Sequence, residues 1–248
     1  MDDKAIHRLL RKFSCLQNGD RRTLDALLTS SRAMPVRATL LREGDRVENI
    51  HVIETGWAMR YKTLPDGGRQ ILNFLLPGDI FGLFGSLFEH SEFGVETLTA
   101  LQTSTFPFAQ MLEAFHESPR LALALTWLAG QDERQLDEQI TRIGRRSAGE
   151  RMAHLFMELH HRLSDAGIGG DAARHFPLTQ SVLADSLGMS HVHANRSFRP
   201  LVRNGLVALR NNGIVLLDPA ALAELAEFDA SYLEEVEVPV KAQRAFPD

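Results

Sequence analysis

A chain of 248 residues, 44% hydrophobic and 24% charged, has the make-up of an ordinary globular protein of one large or two medium domains, able to bury a core without cross-links. Its formal charge of −5 argues against a protein coated in nucleic acid but leaves room for a local basic face. The single cysteine, Cys15, excludes an internal disulfide and a cysteine-cluster metal centre.

The start, Met1-Asp2-Asp3-Lys4, lacks the basic-then-apolar pattern of a leader. The longest apolar run, around Leu121 to Ala129, is too short to cross a bilayer. A cytoplasmic location with no membrane partner is therefore expected.

Residues from about 6 to 31 read as helix, with Leu9, Leu10, Phe13 and Leu16 and then Leu24, Leu27 and Leu28 at helical spacing. From about 36 to 108, short apolar runs alternate with turn signals such as Glu43-Gly44-Asp45, Glu54-Thr55-Gly56, Pro65-Asp66-Gly67-Gly68 and Leu76-Pro77-Gly78-Asp79. That texture predicts a compact β-sandwich or barrel. Phe81, Phe84, Phe88 and Phe93 crowd one part of it, either as core filling or as the wall of an apolar effector pocket.

Ser118-Pro119 signals a helix start, and a long helix is expected over 119–143. Leu121, Leu125 and Leu128, then Leu136, Ile140 and Ile143, form a stripe that suits either a partner helix or an intrachain core; Asp132 and Gln135 interrupt it, and Gly130 weakens it. A second helix is expected from about 146 to 163, with a domain boundary near Gly144 and a Gly/Asp-rich loop over Asp165 to Gly170.

The informative stretch is Leu178 to Asp218. Thr179 is placed to cap a helix over Gln180 to Leu187, Gly188-Met189-Ser190 makes a tight turn, and Ser190 is placed to cap a second helix from His191 to about Asn204. Leu183, Ala184, Leu187, Ala194, Phe198 and Leu201 would pack between the two, with Met189 filling the corner. His191, Val192, His193, Asn195, Arg196 and Arg199 are left on the outer face of a helix-turn-helix.

That face has the chemistry of base reading. Arginine makes two hydrogen bonds to guanine and asparagine two to adenine, while an outward valine suits a thymine methyl. Ser190 and His193 sit near a helix N-terminus, where phosphate is favoured. A hairpin with strands Val207 to Arg210 and Ile214 to Leu217, turning at Asn211-Asn212-Gly213, follows as a wing carrying Arg210. Arg174, Arg196, Arg199, Arg203 and Arg210 outnumber Asp185 and Asp218, so this module is basic within an acidic chain.

Over roughly residues 20 to 218, the chain resembles the CRP/FNR family of bacterial transcription regulators. The N-terminal marks are Leu41-Arg42-Glu43-Gly44-Asp45, Ile53-Glu54-Thr55-Gly56 and Leu76-Pro77-Gly78-Asp79-Ile80-Phe81-Gly82. The C-terminal marks are Leu178-Thr179-Gln180, Leu183-Ala184-Asp185, Leu187-Gly188-Met189-Ser190 and Asn195-Arg196.

The resemblance implies an α+β fold: an N-terminal helix and cyclic-nucleotide-binding-like β-roll over 1–118, a dimerisation helix over 119–143, and a winged helix-turn-helix domain with a tail over 144–248. It implies a homodimer reading a near-palindromic DNA site in successive major grooves. It also implies contacts with RNA polymerase through the loop at Leu163 to Arg174 and the turn at Pro65 to Gly68. DNA contacts are expected from Thr179, Ser190, His191, Val192, His193, Asn195, Arg196, Arg199 and Arg210. An effector pocket is expected among Phe81, Gly82, Leu83, Phe84, Gly94, Val95 and Leu136.

The departures from the family pattern matter as much. Members that bind cyclic AMP hold the ribose with a Glu and the phosphate with an Arg-Ser pair; the matching positions here are Leu83, Gly94 and Val95, which offer the phosphate no cation. Cyclic AMP is therefore not the expected effector. An iron–sulfur cluster needs more than Cys15, and His51 and His90 read as structural or solvated rather than haem ligands, so no cofactor is expected. Many members carry a Glu where Val192 stands, which implies a different half-site, whereas Arg196 is retained and should read guanine.

Three rival readings stay open. One is a constitutive regulator whose pocket is filled by its own side chains. Another is a winged helix that binds protein instead of DNA. The third, an enzyme, has no support from a serine elbow, H-E-x-x-H, P-loop or dinucleotide fingerprint. His160-His161 with Glu158 make a poor chelate, because adjacent helical residues point apart, and no metal site is expected.

Overall fold

The structure, a computed structural model, describes residues 5–10, 16–28, 30–83, 87–211 and 213–234. Cys15, Phe13, Phe84 and Asn212, all singled out in the sequence, lie outside this set.

The N-terminal stretch holds two helices, α1 (Ala5–Leu10) and α2 (Asn18–Leu27), where the apolar spacing predicts one. A capping box opens α2: the Gln17 backbone N–H donates to Asp20 Oδ2 at 2.8 Å, so the helix restarts there. The chain is already extended at β1 (Ser30–Met34).

Seven more strands follow: β2 (Thr39–Leu41), β3 (Asn49–Thr55), β4 (Ala58–Thr63), β5 (Arg69–Leu75), β6 (Ile80–Phe81), β7 (Gly94–Thr97) and β8 (Leu101–Pro107). They build two four-stranded antiparallel sheets, β1-β8-β3-β6 and β2-β7-β4-β5. Leu41, Ile53, Ala58, Leu75, Phe81, Val95 and Leu101 fill the space between them. Gly56 turns β3 into β4 at φ +86°, and a Cβ there would lie 2.3 Å from the Ala100 carbonyl oxygen, so only glycine fits.

After α3 (Phe108–Glu117), the long helix α4 (Pro119–Arg145) begins as expected: Ser118 accepts from the Leu121 N–H and Pro119 occupies the first turn. It continues through Gly144, two residues past the expected end. The break falls at Arg146, and Ser147 with Glu150 forms a capping box for α5 (Ala148–Asp165).

The C-terminal part then runs through a 3₁₀ turn (Gly170–Arg174), β9 (His175–Phe176), α6 (Gln180–Leu187), α7 (His191–Arg203), β10 (Val207–Arg210), β11 (Gly213–Leu216), α8 (Pro219–Ala226) and a last 3₁₀ turn (Ala230–Tyr232). The wing is a three-stranded sheet, β10-β11-β9, not the simple hairpin the turn signal predicts. A Cβ on Gly213 would sit 2.5 Å from the Phe176 carbonyl oxygen, so this glycine, the first residue of β11, is what admits β9, while the left-handed backbone of the turn falls on Asn211 at φ +49°.

The helix-turn-helix rests on the roll. Met59, Ile71 and Phe74, from the outer face of the β4–β5 pair, and Trp57, just before β4, share one core with Phe156, Phe176, Leu183 and Phe198. Both faces of that strand pair are therefore buried, which ties the two domains through apolar surface. Among the described residues, no helix is long and apolar enough to cross a membrane.

Candidate nucleic-acid interface and adjoining cavity

The helix pair α6–α7 is set by short-range chemistry. Thr179 Oγ1 accepts from the Val182 N–H at 3.2 Å and starts α6. Gly188 ends it in the left-handed region at φ +62°, and Ser190 Oγ then accepts from the His193 N–H at 3.2 Å and starts α7. Leu183, Ala184, Leu187, Ala194, Phe198 and Leu201 are all buried. Because both caps use an oxygen lone pair, each hydroxyl proton is left to donate outward.

This packing leaves His191, Val192, His193, Arg196 and Arg199 exposed on α7 and Arg210 exposed on β10. Val192 is 79% exposed, an unusual position for an apolar side chain unless something covers it. Among the described residues, Arg196 and Arg210 have no carboxylate partner. The module's acids are spent elsewhere: Asp185 Oδ2 accepts from Arg69 Nε at 2.9 Å and Asp218 caps α8.

Asn195 is placed differently from the sequence expectation. It is half-buried; its Nδ2 donates to Gln180 Oε1 at 2.6 Å, and its Oδ1 accepts from Arg199 Nε at 3.1 Å. Its amide is engaged between the helices instead of facing outward. Gln180 was quoted in the sequence only as a helix start and a family mark, not as a contact; its place beside the Thr179 cap was the available signal.

Polar contacts fix the module against the roll and α4. Gln70 and Gln139 both donate to the Ser186 carbonyl oxygen, at 3.3 and 2.6 Å. Arg162 on α5 donates to the Phe74 carbonyl oxygen at 3.0 Å and to Asp79 Oδ2 at 2.5 Å. Burial pushes the Asp79 carboxyl up, with Arg162 opposing that shift.

At the α4–α5 joint, buried Arg142 donates to Gln139, to Glu158 and, at 3.1 Å, to His154 Nδ1. His154 Nε2 lies 3.0 Å from Glu138 Oε1. An Nδ1 that accepts from Arg142 leaves Nε2 to carry the proton, so the neutral ring is satisfied at both nitrogens. Burial, aided by Arg142 and Arg146, lowers its pKa to about 3. The Tyr232 hydroxyl, raised by burial and by Glu158, donates to Glu158 Oε2 at 2.8 Å. Glu158 thus serves as a counter-ion, His160 Nδ1 contacts the Ala173 carbonyl at 2.9 Å, and His161 pairs with Asp165 at 3.4 Å. Among the described residues, no three potential metal ligands converge.

A cavity of about 160 Å³ lies where the roll, α4 and α5 meet. Of the expected pocket residues, Phe81, Gly82 and Leu83 line it, whereas Gly94, Val95 and Leu136 do not. Val95 is buried between the sheets, and a Cβ on Gly94 would fall 2.6 Å from Tyr61 Cζ, so the tyrosine ring holds the space a side chain would need. Sequence reasoning missed the polar members of the wall, Arg60, Asn73, Asp79 and Arg162.

Comparison with known proteins agrees with this architecture. Residues 32–118 match the cyclic nucleotide-binding domain and residues 150–225 the Crp-like helix-turn-helix domain. The nitrogen fixation regulation protein FixK of Bradyrhizobium diazoefficiens is 33% identical over 189 residues, 76% of this chain and 78% of that protein. The transcriptional activatory protein AadR of Rhodopseudomonas palustris is 29% identical over 191 residues, 77% of this chain and 78% of that protein. The structure of FixK2 from Bradyrhizobium japonicum shares the fold with a TM-score of 0.69 at 24% identity, covering 79% of this chain and 96% of that one. With both domain types present in order and a curated relative matched across three quarters of its length, the chain belongs to the CRP/FNR family of transcription regulators.

Proposed function

We propose that this protein is a cytoplasmic, homodimeric regulator that reads a near-palindromic operator and acts on RNA polymerase, under control of a signal at the β-roll other than cyclic AMP. The observation that carries the DNA-reading part is the outer face of α7: Val192, Arg196 and Arg199 are exposed together, and Arg196 has no carboxylate partner among the described residues. Such a face meets a major groove with two bidentate donors and an apolar contact for a thymine methyl.

The dimer rests on α4, where Ile140 is 70% exposed on a 27-residue helix, as an apolar position awaiting a second copy would be. The polymerase contacts rest on family resemblance at 163–174 and 65–68. Cyclic AMP is disfavoured because Leu83, Gly94 and Val95 supply neither cation nor carboxylate, and Tyr61 covers Gly94. Haem is disfavoured because the His51 ring is taken up in a stack on the Phe81 ring, with centroids 4.5 Å apart. The reading is of a regulator without catalytic chemistry.

A second reading, a constitutive regulator with a self-filled pocket, is favoured by one observation: Arg60 and Asn73 both donate to Asp132 in the cavity wall, so the chain's own side chains take up much of the polar surface there. The test is selection from a random double-stranded DNA pool with ligand-free protein, followed by anisotropy on the winning site at two salt concentrations. A near-palindrome with guanine in each half is expected. Weak, salt-sensitive binding blind to sequence, with or without small-molecule extract, would overturn the DNA-reading proposal.

A further inference from the structure

We propose that the cavity at the meeting of roll, α4 and α5 is a binding site for a molecule about one aromatic ring in size, bearing N–H or O–H donors and no negative charge. The inference rests on the reading of the roll as the signal-receiving domain and names the chemistry of that signal.

Size comes first. A pocket of about 160 Å³ is close to the roughly 150 Å³ that accommodates a benzene ring in an engineered protein cavity. Its apolar wall includes Leu75, Ile80, Phe81, Phe93, Trp127 and Leu128, which suits a flat ring.

Charge decides the class. The wall holds two guanidiniums, and each is paired with a carboxylate that is more exposed than it is. Arg60 is 11% exposed against 38% for its partner Asp132, and Arg162 is 8% exposed against 19% for Asp79. What the cavity presents is therefore carboxylate oxygen in preference to cation. An anion entering here would give up its hydration and meet acceptors, whereas a donor would be met by them.

Unmet hydrogen-bonding capacity points the same way. The side-chain carbonyls of two lining residues, Asn73 Oδ1 and Gln135 Oε1, are buried and accept nothing among the described residues. Two donors in the wall, Arg60 Nε and Arg162 Nη1, also lack a hydrogen bond, but each has an alternative: the Arg60 guanidinium lies 5.0 Å from the Phe93 ring centre, and Arg162 Nη1 lies 3.9 Å from Glu158. The acceptors have no such substitute; a ligand donor would supply it once either amide turned toward the cavity, from which both oxygens are covered.

The site also touches both domains. Leu75 to Leu83 come from the roll, Trp127 to Gln135 from α4, Arg162 and Asp165 from α5, and Leu233 from the C-terminal segment, beyond the residues matched as helix-turn-helix. A bound ring would contact the elements whose relative placement aims α7, so occupancy and DNA affinity would be linked.

The test uses the full-length chain without DNA, so its failure is separable from failure of DNA reading. Benzyl alcohol, benzylamine, benzoate and cyclic AMP are titrated by ligand-observed saturation-transfer NMR, with Trp fluorescence reporting on Trp127. Benzyl alcohol and benzylamine should bind in roughly the millimolar range usual for fragments of this size. Benzoate should bind at least about tenfold more weakly, because its carboxylate faces wall carboxylates.

Leu128→Trp, which fills the cavity from α4, and Leu83→Trp, which fills it from the roll at a half-buried position, should each abolish binding; one of them with wild-type circular dichroism suffices. Absence of donor-probe binding to the wild type, equal binding of benzoate, or retained binding in a folded filled variant would each overturn the proposal. Probe binding that leaves operator affinity unchanged would support the site and sink its link to the signal.

Discussion

Asp132 on α4 receives Arg60 Nη1 and Nη2 at 2.9 and 3.1 Å and Asn73 Nδ2 at 2.8 Å, and Arg60 and Asn73 are cross-strand partners on β4 and β5. One carboxylate thus fastens the long helix to two strands at once. The bidentate geometry and the burial of Arg60 make this a stronger link than a surface ion pair. Asp132→Ala strands a nearly buried guanidinium and should cost about 2 kcal/mol in urea unfolding, below the full buried-pair value because Asp132 is partly exposed. Replacing both partners with leucine should recover most of that loss. Equal losses in the single and double variants would show that the pair contributes packing alone.

His154 makes stability depend on pH. Its folded pKa, about 3, lies below the ordinary 6.5. Between those values the unfolded chain binds a proton that the folded chain refuses, so this group's contribution is complete above about pH 6.5 and is lost as pH falls toward 3. The slope approaches about 1.4 kcal/mol per pH unit within that window. His51, lowered to about 4, acts in the same sense, while Asp79, raised by burial, acts in the opposite sense. Urea unfolding of wild type and His154→Gln between pH 7 and pH 4 should therefore show a shallower acid loss in the variant. Parallel curves would mean that His154 titrates alike in both states.

The features legible in the sequence are those fixed within a few residues. The Thr179 and Ser190 caps, the Gly188 turn and the Ser118-Pro119 start need no distant partner, and the structure places each as its local chemistry requires. Asp132 and Gln135 were visible only as interruptions of an apolar stripe. The meaning of Asp132 lay in Arg60 and Asn73, 72 and 59 residues away, which no periodicity links to it. β9 is two residues long and pairs with a strand nearly forty residues later, so it offers no pattern of its own. The outer face of β4–β5 reads as ordinary apolar strand; that a helix-turn-helix covers it depends on the hinge at Arg146. Gly94 was recognisable as a missing cation, but the Tyr61 ring pressed against it was not.

Arg196 and Arg210 should fail differently. Arg196 stands exposed on the reading face of α7, so Arg196→Ala should cost about 1–3 kcal/mol on the selected operator and relax discrimination at one base pair. Arg210 is exposed on β10, and Arg210→Ala should weaken binding evenly across sequences and lower the salt slope by about one. Anisotropy on the operator and on single-base variants at two salt concentrations separates them. A sequence-selective loss for Arg210→Ala would mean that the wing reads bases.

Asn195 offers the sharpest test of how the reading face is held. Gln180 on α6 accepts from Asn195, and Asn195 accepts from Arg199, so the guanidinium on the outer face is steadied through the first helix of the pair. Removing either amide frees the same arginine. Asn195→Ala and Gln180→Ala should then each lower operator affinity by about 1 kcal/mol, with the loss concentrated at the base pair that Arg199→Ala also relaxes. The double variant should lose little more than either single one, because the two act in series. If Asn195 instead turns outward to an adenine in the complex, its alanine variant would relax a different base pair while Gln180→Ala left recognition untouched. The position of the relaxed base pair in the two selections therefore decides whether Asn195 reads DNA or positions the residue that does.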